Sequence, residues 1–223
     1  LSCMIKTIRL ILGDQLNPEH PWFEAVDDQV LYLMMESREE AQYTTHHILK
    51  VAGFFLSMRD FAKTIQGNGH RFKYLKLDDP ENRQSMEGNL FHIFSKENPT
   101  FFEYQEPDEY RLDELLKSLA GKTRVPFRMV SSHHFLTERK DLSTFFGDRK
   151  SWRMETFYRT VRQKSNLLMD NGQPLGGQWN YDAENRESVP AHLALPETFD
   201  FRHDASELVG MLDRMEIKTM GNL

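Results

Sequence analysis

Four apolar runs in this chain end on acids. Ile8-Arg9-Leu10-Ile11-Leu12 stops at Gly13-Asp14-Gln15, and later runs stop at Met35-Glu36, at Leu77-Asp78-Asp79 and at Gln105-Glu106-Pro107-Asp108. Each run has the length and character of a buried strand. In an open α/β sheet, the loops at the carboxyl ends of the strands are where ligands bind. A rim of carboxylates suits two kinds of ligand. One is a hard divalent cation such as Mg²⁺, which takes oxygen ligands. The other is an uncharged molecule rich in hydroxyl and N–H groups, whose donors form strong hydrogen bonds to charged acceptors. For Asp78, Asp79 and Asp108 a helix-capping or first-turn role is the simpler reading. Asp14, Glu36 and Glu106, at strand ends, suit either role.

A di- or triphosphate fits poorly. Phosphate sites need a glycine-rich loop presenting backbone N–H groups at a helix start, and neither G-x-G-x-x-G nor G-x-x-x-x-G-K occurs. Asp14 places an anion where a phosphate would sit, and that pairing is repulsive. Glu39 and Glu40 start the helical pattern that follows strand two, and Glu40 is within one turn of that strand's end. His46-His47 and His133-His134 are adjacent pairs; on a helix such neighbours point about 100° apart, which argues against joint ligation of one metal. Cys3, the only cysteine, lies near the chain start and suggests no catalytic thiolate. From Arg139 to Lys164 the chain is locally basic, with Trp152 and Tyr158 interleaved. That is a nucleic-acid footprint in miniature, but a solvated helix face whose aromatics pack on the sheet is the simpler reading.

The elements that must position these residues alternate. Strands are expected at 8–13, 29–35, 71–77, 101–105 and 126–130. Between them lie a long helix carrying Val51, Phe54, Phe55, Met58, Ala62 and Ile65 on one face, a helix over 84–96 and a helix over 110–119. Gly67-Asn68-Gly69 and Gly121 stop the first and last of these. Near-continuous apolar strands joined by helices predict a doubly wound, Rossmann-like, five-stranded parallel sheet with helices on both faces. Residues 1–135 would form this domain. Residues 136–186, a long helix or broken pair followed by a Gly-rich loop, would pack on it. Residues 187–223 read as a linker and the start of something else, the amphipathic stretch around Leu208–Leu212 being too small for a core of its own.

Composition agrees with a folded α/β chain. Hydrophobic residues make up 39% of the 223, aromatics 12% and charged residues 28%. The net charge of −6 gives no global attraction to nucleic acid. No apolar stretch approaches the ~20 residues needed to span a bilayer, and Lys6 and Arg9 interrupt any signal-peptide core. A single cysteine excludes disulfides within the chain and a cluster held by its own cysteines; a cytoplasmic setting fits.

Several blocks together resemble one family. Ile11-Leu12-Gly13-Asp14-Gln15-Leu16, Glu36-Ser37-Arg38-Glu39-Glu40-Ala41 with Tyr43 and His46-His47, Glu106-Pro107 with Glu109-Tyr110-Arg111, Arg149-Lys150 with Met154-Glu155 and Phe157-Tyr158-Arg159, and Gly176-Gly177-Gln178-Trp179-Asn180-Tyr181-Asp182-Ala183-Glu184-Asn185-Arg186 are similar to the iron–sulfur bacterial cryptochrome/photolyase family, the photolyase-related proteins. Tyr110 departs from the tryptophan more usual in that family.

The resemblance implies an N-terminal antenna domain holding 6,7-dimethyl-8-ribityllumazine, with Gly13, Asp14, Gln15, Met35, Glu36, Glu40, Phe54 and Glu106 about the pigment. FAD and a four-iron cluster would belong to a C-terminal domain absent here. The implied partners are the pigment and that FAD-binding domain, with DNA met only by the full-length parent and no membrane. This chain alone is then expected to be catalytically inactive, an expressed fragment or a short relative. Two other readings stand beside it: a divalent-metal-dependent hydrolase using Asp14, Glu36, Asp78 and Glu106, and a non-catalytic interaction domain.

Overall fold

The computed structural model describes residues 4–183, 185–190, 192–194, 196–199 and 203–222. Cys3 and Glu184 lie outside the described residues. Five strands, β1 (Thr7–Leu10), β2 (Val30–Met35), β3 (Phe72–Leu75), β4 (Phe101–Gln105) and β5 (Phe127–Val130), form one sheet in the order β3-β2-β1-β4-β5. Every neighbouring pair is parallel. The chain winds outward from β1 in both directions, which is the doubly wound arrangement expected.

Alternation along the strands divides the core. Ile8, Leu10 and Leu12 face the same side as Leu31, Leu33, Phe102 and Tyr104. There they meet α3 (Met86–Glu97) and α4 (Tyr110–Ala120) through Leu90, Ile93, Leu112, Leu116 and Leu119. On the other side Ile11, Val30, Tyr32 and Met34 meet α2 (Ile48–Gly67) through Val51, Phe55, Met58, Ala62 and Ile65. With both faces covered, the strands lose the polar half of their period.

Three local expectations change. The first strand closes at Leu10 rather than residue 13. Ile11 N still donates to Leu33 O at 3.0 Å, but Leu12 N donates to the Gln15 side chain at 3.0 Å, which turns the chain out of the ladder. Glu39 and Glu40 do not start the long helix. They sit on a separate short one, α1 (Arg38–Gln42), capped by Ser37, whose hydroxyl accepts from Glu40 N at 3.3 Å. His47, expected inside a helix, caps α2 instead, its Nδ1 accepting from Leu49 N at 3.2 Å.

The chain divides into two compact units, Leu1–Ser132 with His203–Leu223, and His133–Arg202. The closing stretch, expected as part of a linker to another domain, returns to the first unit. Helix α7 (Ser206–Arg214) buries Leu208, Met211 and Leu212, with Ile217, in the core beside α2. Met220 N then donates to His46 O, and Ile48 N donates to Met220 O, both at 2.9 Å. A stretch too short to build a core is long enough to complete one.

The second unit holds the broken pair, α5 (Arg139–Phe146) and α6 (Met154–Ser165), and a hairpin of β6 (Met169–Asp170) and β7 (Gln173–Pro174). Asn171-Gly172 turns the hairpin at φ +47° and +78°. The aromatics of the basic segment pack on one another: Trp152 stacks on Phe146 at 5.1 Å, and Phe145 meets Phe157 at 5.3 Å. The Gly-Gly-Gln-Trp-Asn block clasps α6. Arg159 and Arg162 each lie 5.3 Å from the Trp179 ring, the buried Arg162 donates to Trp179 O at 3.2 Å, and Tyr181 Oη donates to Gly176 O at 3.0 Å. No described helix is long and apolar enough to cross a membrane.

Candidate functional site

A cavity of about 250 Å³ opens at the carboxyl ends of β1 and β2 in the first unit. Its floor is the exit of β1, residues Leu10 to Asp14, with Met35 from the end of β2. Helix α1 and the turn after it supply Ser37, Glu40, Ala41, Tyr43 and His46; α2 supplies Lys50, Val51, Phe54, Phe55 and Met58; Met86, Glu109 and Leu112 close the far side. This is the crevice beside the central strand from which the crossovers diverge, where doubly wound sheets take ligands.

Gly13 shapes the floor. A Cβ there would stand 3.0 Å from Met58 Sδ and 3.3 Å from Phe54 Cδ1, so the glycine lets these two α2 side chains lie against the β1 exit without shifting. Phe54 and Tyr43 remain half exposed at the mouth, an apolar surface on the rim of a polar opening.

Charge is organised by Arg111, at the start of α4. Its Nη1 and Nη2 donate to Glu40 at 2.8 and 2.6 Å, its Nε and Nη2 donate to Glu109 at 2.8 and 3.2 Å, and its guanidinium lies 4.5 Å from the Tyr43 ring. Hydrogen bonds to Glu40, then those to Glu109, push the Arg111 pKa up further. Both acids are thereby held as oriented carboxylates whose remaining lone pairs can still accept. Lys50 Nζ lies 3.3 Å from His46 Nδ1, and the His46 ring meets Tyr43 edge to face at 4.8 Å. Burial, with Lys50 acting in the same direction, holds His46 below the usual histidine pKa, while Glu40 opposes the shift.

Of the eight residues singled out for a ligand, Gly13, Asp14, Met35, Glu40 and Phe54 come together on the cavity wall. Gln15, Glu36 and Glu106 do not. Gln15 is wholly buried and ties the β1 exit to β4, donating to Gln105 O and Glu106 O, both at 3.3 Å. Glu36 is 0% exposed: Arg59 donates to it at 2.7 and 3.0 Å, Tyr74 Oη at 2.7 Å and Leu77 N at 2.8 Å. Its lone pairs are spent inside the protein, so it seals the ends of β2 and β3 against α2 rather than facing a ligand. Asp79, expected as a helix cap or first-turn acid, instead holds a turn ahead of α3, accepting from Glu81 N at 2.8 Å, and Ser85 caps that helix.

The cation-binding rim does not assemble. Among the described residues no group of three or more His, Cys, Asp or Glu side chains is placed to hold a metal ion. Lys50, Met58, Glu109 and Arg111 were not foreseen as site residues. Glu109 and Arg111 lie in a block quoted for its resemblance, yet nothing in sequence spacing shows that Arg111 reaches Glu40, 71 residues away.

Comparison with known proteins agrees with the blocks. Residues 9–223 match the family described as deoxyribodipyrimidine photo-lyase-related protein. The chain is 35% identical over 217 residues to a (6-4) photolyase of Agrobacterium fabrum, covering 96% of this chain and 43% of that protein. It is 28% identical over 89 residues to an uncharacterized protein of Acanthamoeba polyphaga mimivirus, covering 38% of this chain and 45% of that one. The chain thus spans less than half the length of these two curated relatives. With a match that extends over almost all of its residues, the chain belongs to the deoxyribodipyrimidine photo-lyase-related protein family.

Proposed function

We propose that this chain is the light-harvesting part of a photolyase- or cryptochrome-like protein, and that its cavity binds a ribityl pigment of the 6,7-dimethyl-8-ribityllumazine type. The observation that carries the reading is the make-up of the cavity. Met35, Phe54, Phe55 and Met58 give apolar walls, Asp14 and Glu40 give charged acceptors, and the sequence has neither glycine-rich phosphate motif. A flat heteroaromatic ring with a chain of hydroxyls and no phosphate matches each of these features.

In this role the chain needs no acid–base catalyst. Its residues bind the pigment, exclude water from the ring and fix its orientation. Excitation then passes to an FAD held, with the four-iron cluster, by the remainder of the parent protein; a single cysteine here cannot ligate such a cluster. The parent activity is light-driven repair of a DNA photoproduct, or photoreception, with DNA met only by the whole protein. The metal-dependent hydrolase reading loses its ligand set, because Glu36 is sealed by Arg59 and Tyr74.

The test is reconstitution. Purified protein is mixed with 6,7-dimethyl-8-ribityllumazine and, separately, with riboflavin 5′-phosphate, and binding is read by absorption and fluorescence. Lumazine bound stoichiometrically, and more tightly than the phosphorylated flavin, is the expected result. Protein that stays colourless after refolding in excess lumazine overturns the reading.

A further inference from the structure

Lys50 and His46 form a unit that no acid of the cavity explains. A lysine ammonium carries three donors and no acceptor, so the 3.3 Å approach of Lys50 Nζ to His46 Nδ1 assigns the acceptor role to Nδ1. The neutral ring then carries its proton on Nε2. His46 is 8% exposed and lines the cavity. Among the described residues no hydrogen bond is made by Nε2. The ring is buried, yet Nε2 is not among the sealed side-chain nitrogens that lack a partner, so this N–H keeps the access that an acceptor on a ligand needs.

We propose that His46, with its tautomer set by Lys50, is the specificity-determining donor of this cavity, and that it reads a carbonyl on the conjugated ring of the ligand. Asp14 and Glu40 accept from hydroxyls of the ligand, while His46 Nε2–H, backed by the Lys50 charge, donates to the carbonyl of its ring. A polyol alone satisfies only the acceptors, and an unsubstituted aromatic ring satisfies neither the acceptors nor the donor. The assignment rests on the chromophore reading above and adds to it a required feature of the ring. It also has an optical consequence: a donor and a positive charge beside a ring carbonyl stabilise the electron density that moves there on excitation, lowering the transition energy.

Binding of 6,7-dimethyl-8-ribityllumazine is measured for the wild type and for Lys50→Met, His46→Phe and His46→Gln, together with the position of the bound pigment's absorption band. Removing the donor or its backing charge is expected to weaken binding about tenfold, the scale of one buried hydrogen bond. The band is expected to move to shorter wavelength in Lys50→Met and His46→Phe, and to stay close to the wild-type position in His46→Gln, which keeps an N–H. If His46→Phe fails to fold, Lys50→Met, at an exposed position, decides alone. Wild-type protein that binds lumazine while these variants match it in affinity and colour overturns the donor assignment only. Wild-type protein that takes up no lumazine overturns the chromophore reading and this assignment together.

Discussion

Arg111 grips Glu40 through two hydrogen bonds of 2.8 and 2.6 Å, joining the start of α4 to α1 at an acid that lines the cavity. One guanidinium thereby fixes two cavity acids and, at 4.5 Å, the Tyr43 ring. A planar fork matches this arrangement and an ammonium does not. Arg111→Lys should keep the positive charge yet leave Glu40 and Glu109 poorly oriented, and lower lumazine affinity about tenfold, the scale of one charge-assisted hydrogen bond. Stability should change little, by ~1 kcal/mol, because the pair is partly solvated. Fluorescence titration and urea unfolding on the same samples separate the two effects; equal affinity in the lysine variant would refute the bracing role.

The buried knot around Glu36 predicts an alkaline limit to stability. Burial first, then the Glu36 carboxylate, pushes the Tyr74 pKa well above its ordinary value of 10.0. Below pH 10 both folded and unfolded chains keep the phenol proton and stability is undiminished. As pH rises past 10 the unfolded chain releases that proton and the folded chain does not, so stability falls. Tyr74→Phe should flatten this slope, read as urea midpoints between pH 8 and 11. Some slope should persist, because burial also raises the pKa of Tyr32. Breaking the knot at neutral pH is a separate matter: Arg59→Met leaves the Glu36 charge buried without its cation, held only by Tyr74 Oη and Leu77 N, and should cost ~3–5 kcal/mol.

Helix α7 should count as core, not as a tail. Leu212 is 2% exposed, within the cluster that includes Val51, Phe55 and Met58. Leu212→Ala should destabilise by ~2–4 kcal/mol through lost burial and the cavity left behind. The same substitution at Leu193, 56% exposed, should be close to neutral. A Leu212→Ala protein with wild-type thermal stability would show that α7 does not hold in solution.

These three cases show what the sequence discloses and what it withholds. The five strands and their helices were legible because apolar periodicity is local: Ile8 and Leu10 announce a strand without reference to the rest of the chain. The strand-end position of Asp14 was legible for the same reason. The fate of Glu36 was not, since its three partners, Arg59, Tyr74 and Leu77, come from other elements and only the folded sheet brings them to one carboxylate. Arg111 and α7 were hidden likewise. An i to i+71 ion pair has no periodicity, and a nine-residue amphipathic helix looks the same whether it starts a new core or completes an old one.

Gly13 offers the most direct probe of the cavity floor. Its Cβ position is open except for Met58 Sδ at 3.0 Å and Phe54 Cδ1 at 3.3 Å, both belonging to flexible or rotatable side chains of α2. Its φ is not positive, so alanine adds no backbone strain. Gly13→Ala should therefore fold with at most ~1 kcal/mol of lost stability, as Met58 swings aside. The methionine can swing only within a packed interior or into the cavity, and the cavity is the cheaper direction. Lumazine uptake should then fall well before stability does, and Gly13→Val should abolish it. Pairing Gly13→Ala with Met58→Ala should restore binding, because the smaller side chain returns the space the methyl takes. Binding that stays at the wild-type level in Gly13→Ala would place the pigment away from the β1 exit.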